Sequence, residues 1–193
     1  MTRRVCRPAL VLAATLAMAV VAGSPSAART AAPVVVAQEP PSAESGSLAL
    51  ADGTLRRETG DGGRLVLVSP GGEVRVLTAA FESAADPDVS FDGRTILFAG
   101  RREAGEAWCV WEMNADGSDA HEITCGPGEA RRPVYLPPMY TLNPTATDTW
   151  RQIAFVGTLP GETNEVGVGP HTALYACTRE GTRLRRLTYS LSS

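Results

Sequence analysis

Few residues in this sequence could carry chemistry, and their spacing decides against most of them. His121-Glu122-Ile123-Thr124-Cys125 sets an imidazole beside a carboxylate, but Cys125 stands where a helical two-histidine zinc site needs its second imidazole. Such a site also needs a helix to bring both ligands onto one face. This segment reads as a strand, so His121 is expected to be an exposed strand residue. His171 is expected in a glycine-rich loop, with Gly167-Val168-Gly169-Pro170, and no carboxylate partner is fixed for it by sequence. Asn114, Asp116 and Ser118 place oxygens at alternate positions, as a calcium loop does. However, Gly117 comes too early, and Cys125 occupies the twelfth position, where a bidentate Glu belongs. A tight turn is the expectation there. The sequence has no Cys-x-x-Cys pair, no Cys-x-x-Cys-His haem attachment, no Gly-x-Ser-x-Gly elbow and no phosphate-cradling glycine loop. The reading is therefore of a chain without a catalytic residue, a cofactor or a metal of its own, and not of an enzyme.

The cysteines are the remaining reactive groups. Cys6 precedes an apolar run, so it cannot be a lipidated cysteine, which would follow that run. Cys109 lies on an expected strand and Cys125 just after the next one. Folding the hairpin at Asn114–Gly117 makes these strands antiparallel and brings the two residues within about two positions of register. A Cys109–Cys125 disulfide with Cys177 free is the expectation, against the alternative of three ordinary buried thiols.

The elements that must position these residues are short strands. Asp86 to Thr124 reads as four of them: Val89-Ser90, Thr95 to Ala99, Trp108 to Met113, and His121 to Thr124, with turns at Asp92-Gly93 and Asn114-Ala115-Asp116-Gly117. Asp-Gly marks such turns because glycine tolerates positive φ. The pairs Leu77-Thr78, Ile123-Thr124 and Leu187-Thr188 then recur as closing residues, 46 and 64 residues apart. Arg94 to Gly100 matches Arg151 to Gly157, and Asp116-Gly117 before Ile123-Thr124 matches Glu180-Gly181 before Leu187-Thr188. Leu65 to Val68, the turn Pro70-Gly71-Gly72, and Val74 to Thr78 form the second half of an earlier unit. Four strands in about forty residues is the size of one propeller blade. The fold class is all-β: an incomplete β-propeller of about two and a half four-stranded antiparallel blades, with boundaries 61–78, 79–124 and 125–188 inside 61–193.

The run P-x-V-S-x-D-G-R-x-I-x-F from Pro87 to Phe98, then Met113-Asn114-Ala115-Asp116-Gly117-Ser118 and a final Ile123-Thr124, resembles the TolB-type propeller repeat. The resemblance covers roughly Gly62 to Thr188. It implies a four-stranded blade of a periplasmic six- or seven-bladed propeller, and protein partners in the bacterial envelope. The runs Asp86 to Gly93 and Arg132 to Pro137 also resemble the propeller region of hydrazine synthase alpha-like secreted proteins. That likeness implies a propeller belonging to a much longer chain, of a kind that can also carry haem domains.

The rest of the sequence fits export. Arg3, Arg4 and Arg7 precede an apolar run from Ala9 to Ala22, and Ser26 and Ala28 stand at the −3 and −1 positions of a cleavage site. The run is shorter than the roughly 20 residues of a span. Residues 1–28 are expected to be a signal peptide, and membrane contact to occur only through export. Residues 29–60, with Pro33, Pro40-Pro41 and a small polar run from Ser42 to Ser47, read as a flexible linker. A net charge of −3 gives no electrostatic case for nucleic acid. Two loops in the last unit, Pro138–Thr149 and Leu159–Pro170, are the expected partner-binding surfaces, with Met139, Tyr140, Glu162 and Glu165 as candidates. An incomplete ring leaves apolar blade faces and strand edges open, so self-association is expected too. The functional expectation is a protein-binding or scaffolding module. The alternative is the propeller portion of a larger secreted enzyme, hydrazine synthase alpha-like or peptidase-like, whose catalytic part lies outside this sequence.

Overall fold

The computed structural model describes residues 31–40, 61–140, 149–163 and 170–189. Their regular elements are all strands, arranged as three consecutive antiparallel sheets and one short ribbon. The first sheet is β1 (Val34–Gln38), β2 (Arg64–Val68) and β3 (Val74–Val76), in that order. The second is the meander β4 (Ser83–Val89), β5 (Thr95–Arg101), β6 (Cys109–Asn114) and β7 (His121–Thr124). The third begins with β8 (Ala130–Tyr135). The ribbon of β9 (Met139–Tyr140) and β10 (Thr149–Trp150) comes next in sequence, and the sheet then resumes with β11 (Gln152–Thr163), β12 (Pro170–Thr178) and β13 (Arg185–Arg186). This is the incomplete propeller that the repeats imply.

The turn hydrogen bonds align the three blades residue by residue. Ser69 N–H donates to Glu73 O, Asn114 N–H to Ser118 O and Thr178 N–H to Thr182 O, each at 2.8 or 2.9 Å. Each turn carries a glycine at positive φ: Gly72 at 84°, Gly117 at 83° and Gly181 at 77°. Counting back from these turns equates Leu65, Val110 and Leu174, then Val66, Trp111 and Tyr175. Alternation does the rest, because successive side chains point to opposite faces of a sheet. Val35, Leu65, Leu67 and Leu77 of the first blade pack against Ile96, Phe98, Trp111 and Met113 of the second. On the other face of the second blade, Leu97, Val110 and Ile123 pack against Ile153, Phe155, Tyr175 and Cys177 of the third. The middle blade is thus covered on both sides. Each fully buried Phe, Ile or Leu there contributes about 1.5–3 kcal/mol.

Polar clamps fix the blades at their first strands. Asp86 and Arg132 both sit at positive φ, 54° and 52°, each just before a proline. Each marks a bulge in the register of its strand, β4 against β5 and β8 against β11. The bulges bring the two strands together: Asp86 Oδ2 accepts from Arg131 Nε at 3.0 Å and Arg132 N at 3.1 Å, and Asp88 Oδ2 accepts from Tyr135 N at 2.7 Å. At the closing end, Thr78 Oγ1 accepts from Leu65 N and Thr188 Oγ1 from Leu174 N, both at 2.9 Å.

The structure corrects four expectations. Val34–Gln38 lies within the stretch read as a flexible linker, yet it pairs along its whole length with β2, because three consecutive β-branched residues outweigh the flanking prolines. The strand read as Val89-Ser90 is the end of the longer β4, whose alternation is broken by the bulge at Asp86-Pro87. Leu159–Pro170 is not wholly a loop: β11 continues to Thr163 and β12 starts at Pro170, with Leu159 opposite His171. The Pro138–Thr149 insertion likewise carries the β9–β10 ribbon.

Candidate functional site

Two side-chain clusters and the blade rims are the places where this fold could act. The first cluster lies between the second and third blades. Glu112, on β6, faces the third blade where the first blade has Leu67 and the third has Ala176, and it is buried. Tyr135 Oη donates to Glu112 Oε1 at 2.6 Å. Arg179 Nε donates to Oε1 at 2.7 Å and to Oε2 at 2.9 Å. Thr95 Oγ1 lies 2.9 Å from Tyr135 Oη and 3.3 Å from an Arg179 terminal nitrogen. A buried carboxylate needs such partners, since an unpaired one costs several kcal/mol. Burial first, and then the bond to Glu112, raise the Tyr135 pKa well above the ordinary phenol value. The bond to Glu112 also raises that of Arg179. Tyr135 is therefore a neutral hydrogen-bond donor at neutral pH, and the cluster is an inter-blade clamp. His121 stands at its edge, with Nε2 3.7 Å from Glu112 Oε2 and a half-exposed side chain.

The second cluster is at the opposite end of the blades. Cys109, at the start of β6, is bonded to Cys125, just after β7, across a sequence separation of 16, and Cys177 is a buried free thiol. Burial pushes the Cys177 thiol up to about 11. Beside the disulfide is a cleft of about 270 Å³ lined by Arg101, Glu106, Trp111 and Glu122, among others. The Glu122 carboxylate and the two sulfurs lie within 4.8 Å of one another. A cysteine binds zinc as its thiolate, and with the two sulfurs bonded to each other this trio offers only the Glu122 carboxylate.

The structure separates the expected binding loops. Met139 and Tyr140 pair with Trp150 and Thr149 in the ribbon, at the end that also carries the turns 90–94 and 114–118. Glu162 is exposed near the far end of β11, at the end of the disulfide cleft. Glu165 lies outside the described residues. His171 is not in a loop but buried on β12, where its Nε2 lies 3.0 Å from an Arg186 terminal nitrogen. Its Nδ1 has no hydrogen-bond partner among the described residues. The Glu112 clamp escaped sequence reasoning because its partners lie 23 and 67 residues away. The signal available was one acidic residue, Glu112, on a strand otherwise apolar from Trp108 to Met113.

No family model matches this chain. Over 76 residues it is 40% identical to the alpha subunit of hydrazine synthase from Kuenenia stuttgartiensis, a stretch that is 39% of this chain and 9% of that subunit. The solved hydrazine synthase of the same organism matches 84% of this chain and 25% of its own, with a TM-score of 0.66 and 23% identity. TolB from Acinetobacter baumannii matches 66% of this chain and 27% of its own, with a TM-score of 0.38 and 19% identity. The chain thus spans less than a tenth of the curated relative's length and a quarter of the solved chain's. Its fold is that of a part of hydrazine synthase.

Proposed function

We propose that this chain is an exported β-propeller module that binds or scaffolds protein partners in the bacterial envelope. The observation that carries the reading is how the charged groups inside the stack are used. Glu112, Arg179 and Asp86 are engaged in holding one blade on the next. That leaves the loops at the two rims as the surfaces on which this fold meets other molecules. Tyr140 and Met139 at one rim and Glu162 at the other are the proposed contact residues, together with Glu165 of the same sequence stretch. Export rests on the basic, apolar and small-residue tripartite start, with cleavage after Ala28.

Two measurements test this. Intact mass of the protein recovered from an exporting host is expected to correspond to a chain beginning at Arg29; retention of residues 1–28 contradicts export. A photoreactive residue placed at Tyr140 or Glu162, irradiated in the native envelope, is expected to give a discrete protein adduct from at least one rim. The absence of adducts from both rims contradicts the binding role.

The 40% identity to the hydrazine synthase alpha subunit supports a second reading. In it, the chain is the propeller portion of a larger secreted enzyme. Peptides of this chain would then be recovered from the native source on a longer polypeptide bearing Cys-x-x-Cys-His or Gly-x-Ser-x-Gly. A polypeptide ending at Ser193 contradicts that reading.

A further inference from the structure

The strand pair that carries the disulfide is bulged, and the bulge decides what stands beside the sulfurs. β6 and β7 pair Val110 with Thr124 and Trp111 with Glu122, so Ile123 is the extra residue on β7. Carried one step past Val110, the same register sets Cys109 opposite Cys125, where the two are bonded. Residues opposite one another across a strand pair share a face, and so do alternate residues of one strand. Cys109, Trp111, Glu122 and Cys125 therefore stand on one face of the second blade. In an unbulged strand Ile123 would stand opposite Trp111, and Glu122 would turn to the other face. The bulge instead sends Ile123 against the core of Ile153 and Phe155 and aims Glu122 at the sulfurs.

The result is a donor set that suits a metal ion once the sulfurs are apart. The two Sγ atoms and a Glu122 carboxylate oxygen lie within 4.8 Å of one another. A tetrahedral ion with Zn–S of about 2.3 Å and Zn–O of about 2.0–2.2 Å holds such atoms about 3.5–3.8 Å apart. The sulfurs reach that spacing by side-chain rotation when the bond between them is gone. Cys109, Cys125 and Glu122 all line the cleft, so an ion has a path in and water can take a fourth position. The Arg101 guanidinium on the cleft wall is already paired with Glu82 and Asp61, and Glu106 on the same wall adds negative charge, which suits a cation. Cys177 takes no part, being buried in the core on the other face of the second blade.

We propose that the dithiol form of this chain binds one zinc-class divalent cation through Cys109, Cys125 and Glu122, and that the disulfide is the released state of that site. A dithiol reductant delivers two electrons and two protons to the disulfide and leaves as its own cyclic disulfide. The cation then displaces the two thiol protons. Oxidation runs the other way: the sulfurs rejoin, two electrons pass to a disulfide of that same class, and the cation leaves. Two thiolates with a carboxylate oxygen favour zinc over monovalent copper, which takes soft donors. The inference concerns one hairpin of the second blade and goes beyond the partner-binding reading, so its failure leaves that reading standing.

The test uses the full chain, reduced with a dithiol, freed of it by desalting without oxygen, and titrated with zinc against a chromophoric chelator. The reduced chain is expected to bind one zinc and the unreduced chain none, with the same far-ultraviolet strand signature in both. Cobalt in place of zinc is expected to give a thiolate-to-metal charge-transfer band. A reduced chain that binds no zinc overturns the inference, and so does equal binding by the unreduced chain. Loss of the strand signature on reduction overturns it too, because the paired strands make the site. Glu122→Gln changes an exposed residue and keeps both thiols, and is expected to weaken zinc binding about tenfold or more. Unchanged affinity in that variant removes the carboxylate from the site and overturns the assignment. Binding that persists with Cys109→Ala and Cys125→Ala together places the site elsewhere and overturns it as well.

Discussion

Gly181→Ala isolates the closest approach between two blades. Gly181 sits at φ 77°, so any side chain there meets left-handed backbone strain of about 1–2 kcal/mol. Its Cβ would also lie 2.2 Å from the carbonyl oxygen of Ile123, more than 1 Å inside ordinary contact. That neighbour is backbone held in a strand end, so the third blade's turn must move away from the second blade. Overpacking of this kind costs about 1–3 kcal/mol. Together the two effects give about 3.5 kcal/mol, which lowers Tm by about 7–14 °C in a domain of this size. Gly93→Ala is the control: φ is 71° and nothing lies within 4 Å of the added Cβ. It carries the backbone strain alone, about 1.5 kcal/mol and about 3–6 °C. Thermal unfolding of both variants, followed by circular dichroism, measures the difference. Equal losses would refute the reasoning, because they would mean that the turn at Gly181 does not rest on Ile123.

Three further outcomes follow from the same contacts. Alkylation of the denatured, unreduced protein is expected to modify Cys177 and to spare Cys109 and Cys125, and removing the disulfide by Cys109→Ala with Cys125→Ala should cost about 3 kcal/mol for a loop of this length. Glu112→Ala should cost about 2–3 kcal/mol, less than for a fully buried pair because Arg179 is 26% exposed; a double-mutant cycle with Arg179→Ala should return a coupling of about 1 kcal/mol or more, and additive losses would show the clamp to be idle. Because the folded-state pKa of Tyr135 is raised, the folded chain keeps a proton that the unfolded chain gives up above about pH 10, so stability falls as pH rises from there through the raised value. Tyr135→Phe should flatten that alkaline decline in urea midpoints, and an unchanged decline would assign it to another group.

Much of the blade architecture was legible because it is local. The alternation of Ile96, Leu97 and Phe98, the Asp116-Gly117 turn and the closing Ile123-Thr124 are carried by neighbouring residues, and so is the hairpin that brings Cys109 towards Cys125. What escaped depends on partners distant in sequence or on broken alternation. β1 was hidden because Val34–Gln38 pairs with a strand about thirty residues later, across a proline-flanked stretch. β4 was shortened in the reading because the bulge at Asp86-Pro87 puts two residues where alternation allows one. The separation of Tyr140 and Glu162 to opposite rims follows from strand direction, which composition does not carry. Glu112 interrupts an otherwise apolar strand, and its meaning appears only when Tyr135 and Arg179 of the next blade stand against it.

The blades are stacked so that the turn glycines Gly117 and Gly181 rest on Leu77 and Ile123, the closing residues of the blades before them. Nuclear Overhauser spectroscopy on methyl-labelled protein reads this directly. Cross-peaks are predicted between the α-protons of Gly117 and the δ-methyls of Leu77, and between those of Gly181 and the γ-methyl of Ile123. Finding both shows the same step taken twice along the chain. Finding neither, in a protein whose strands are otherwise intact, would contradict the stacked blades.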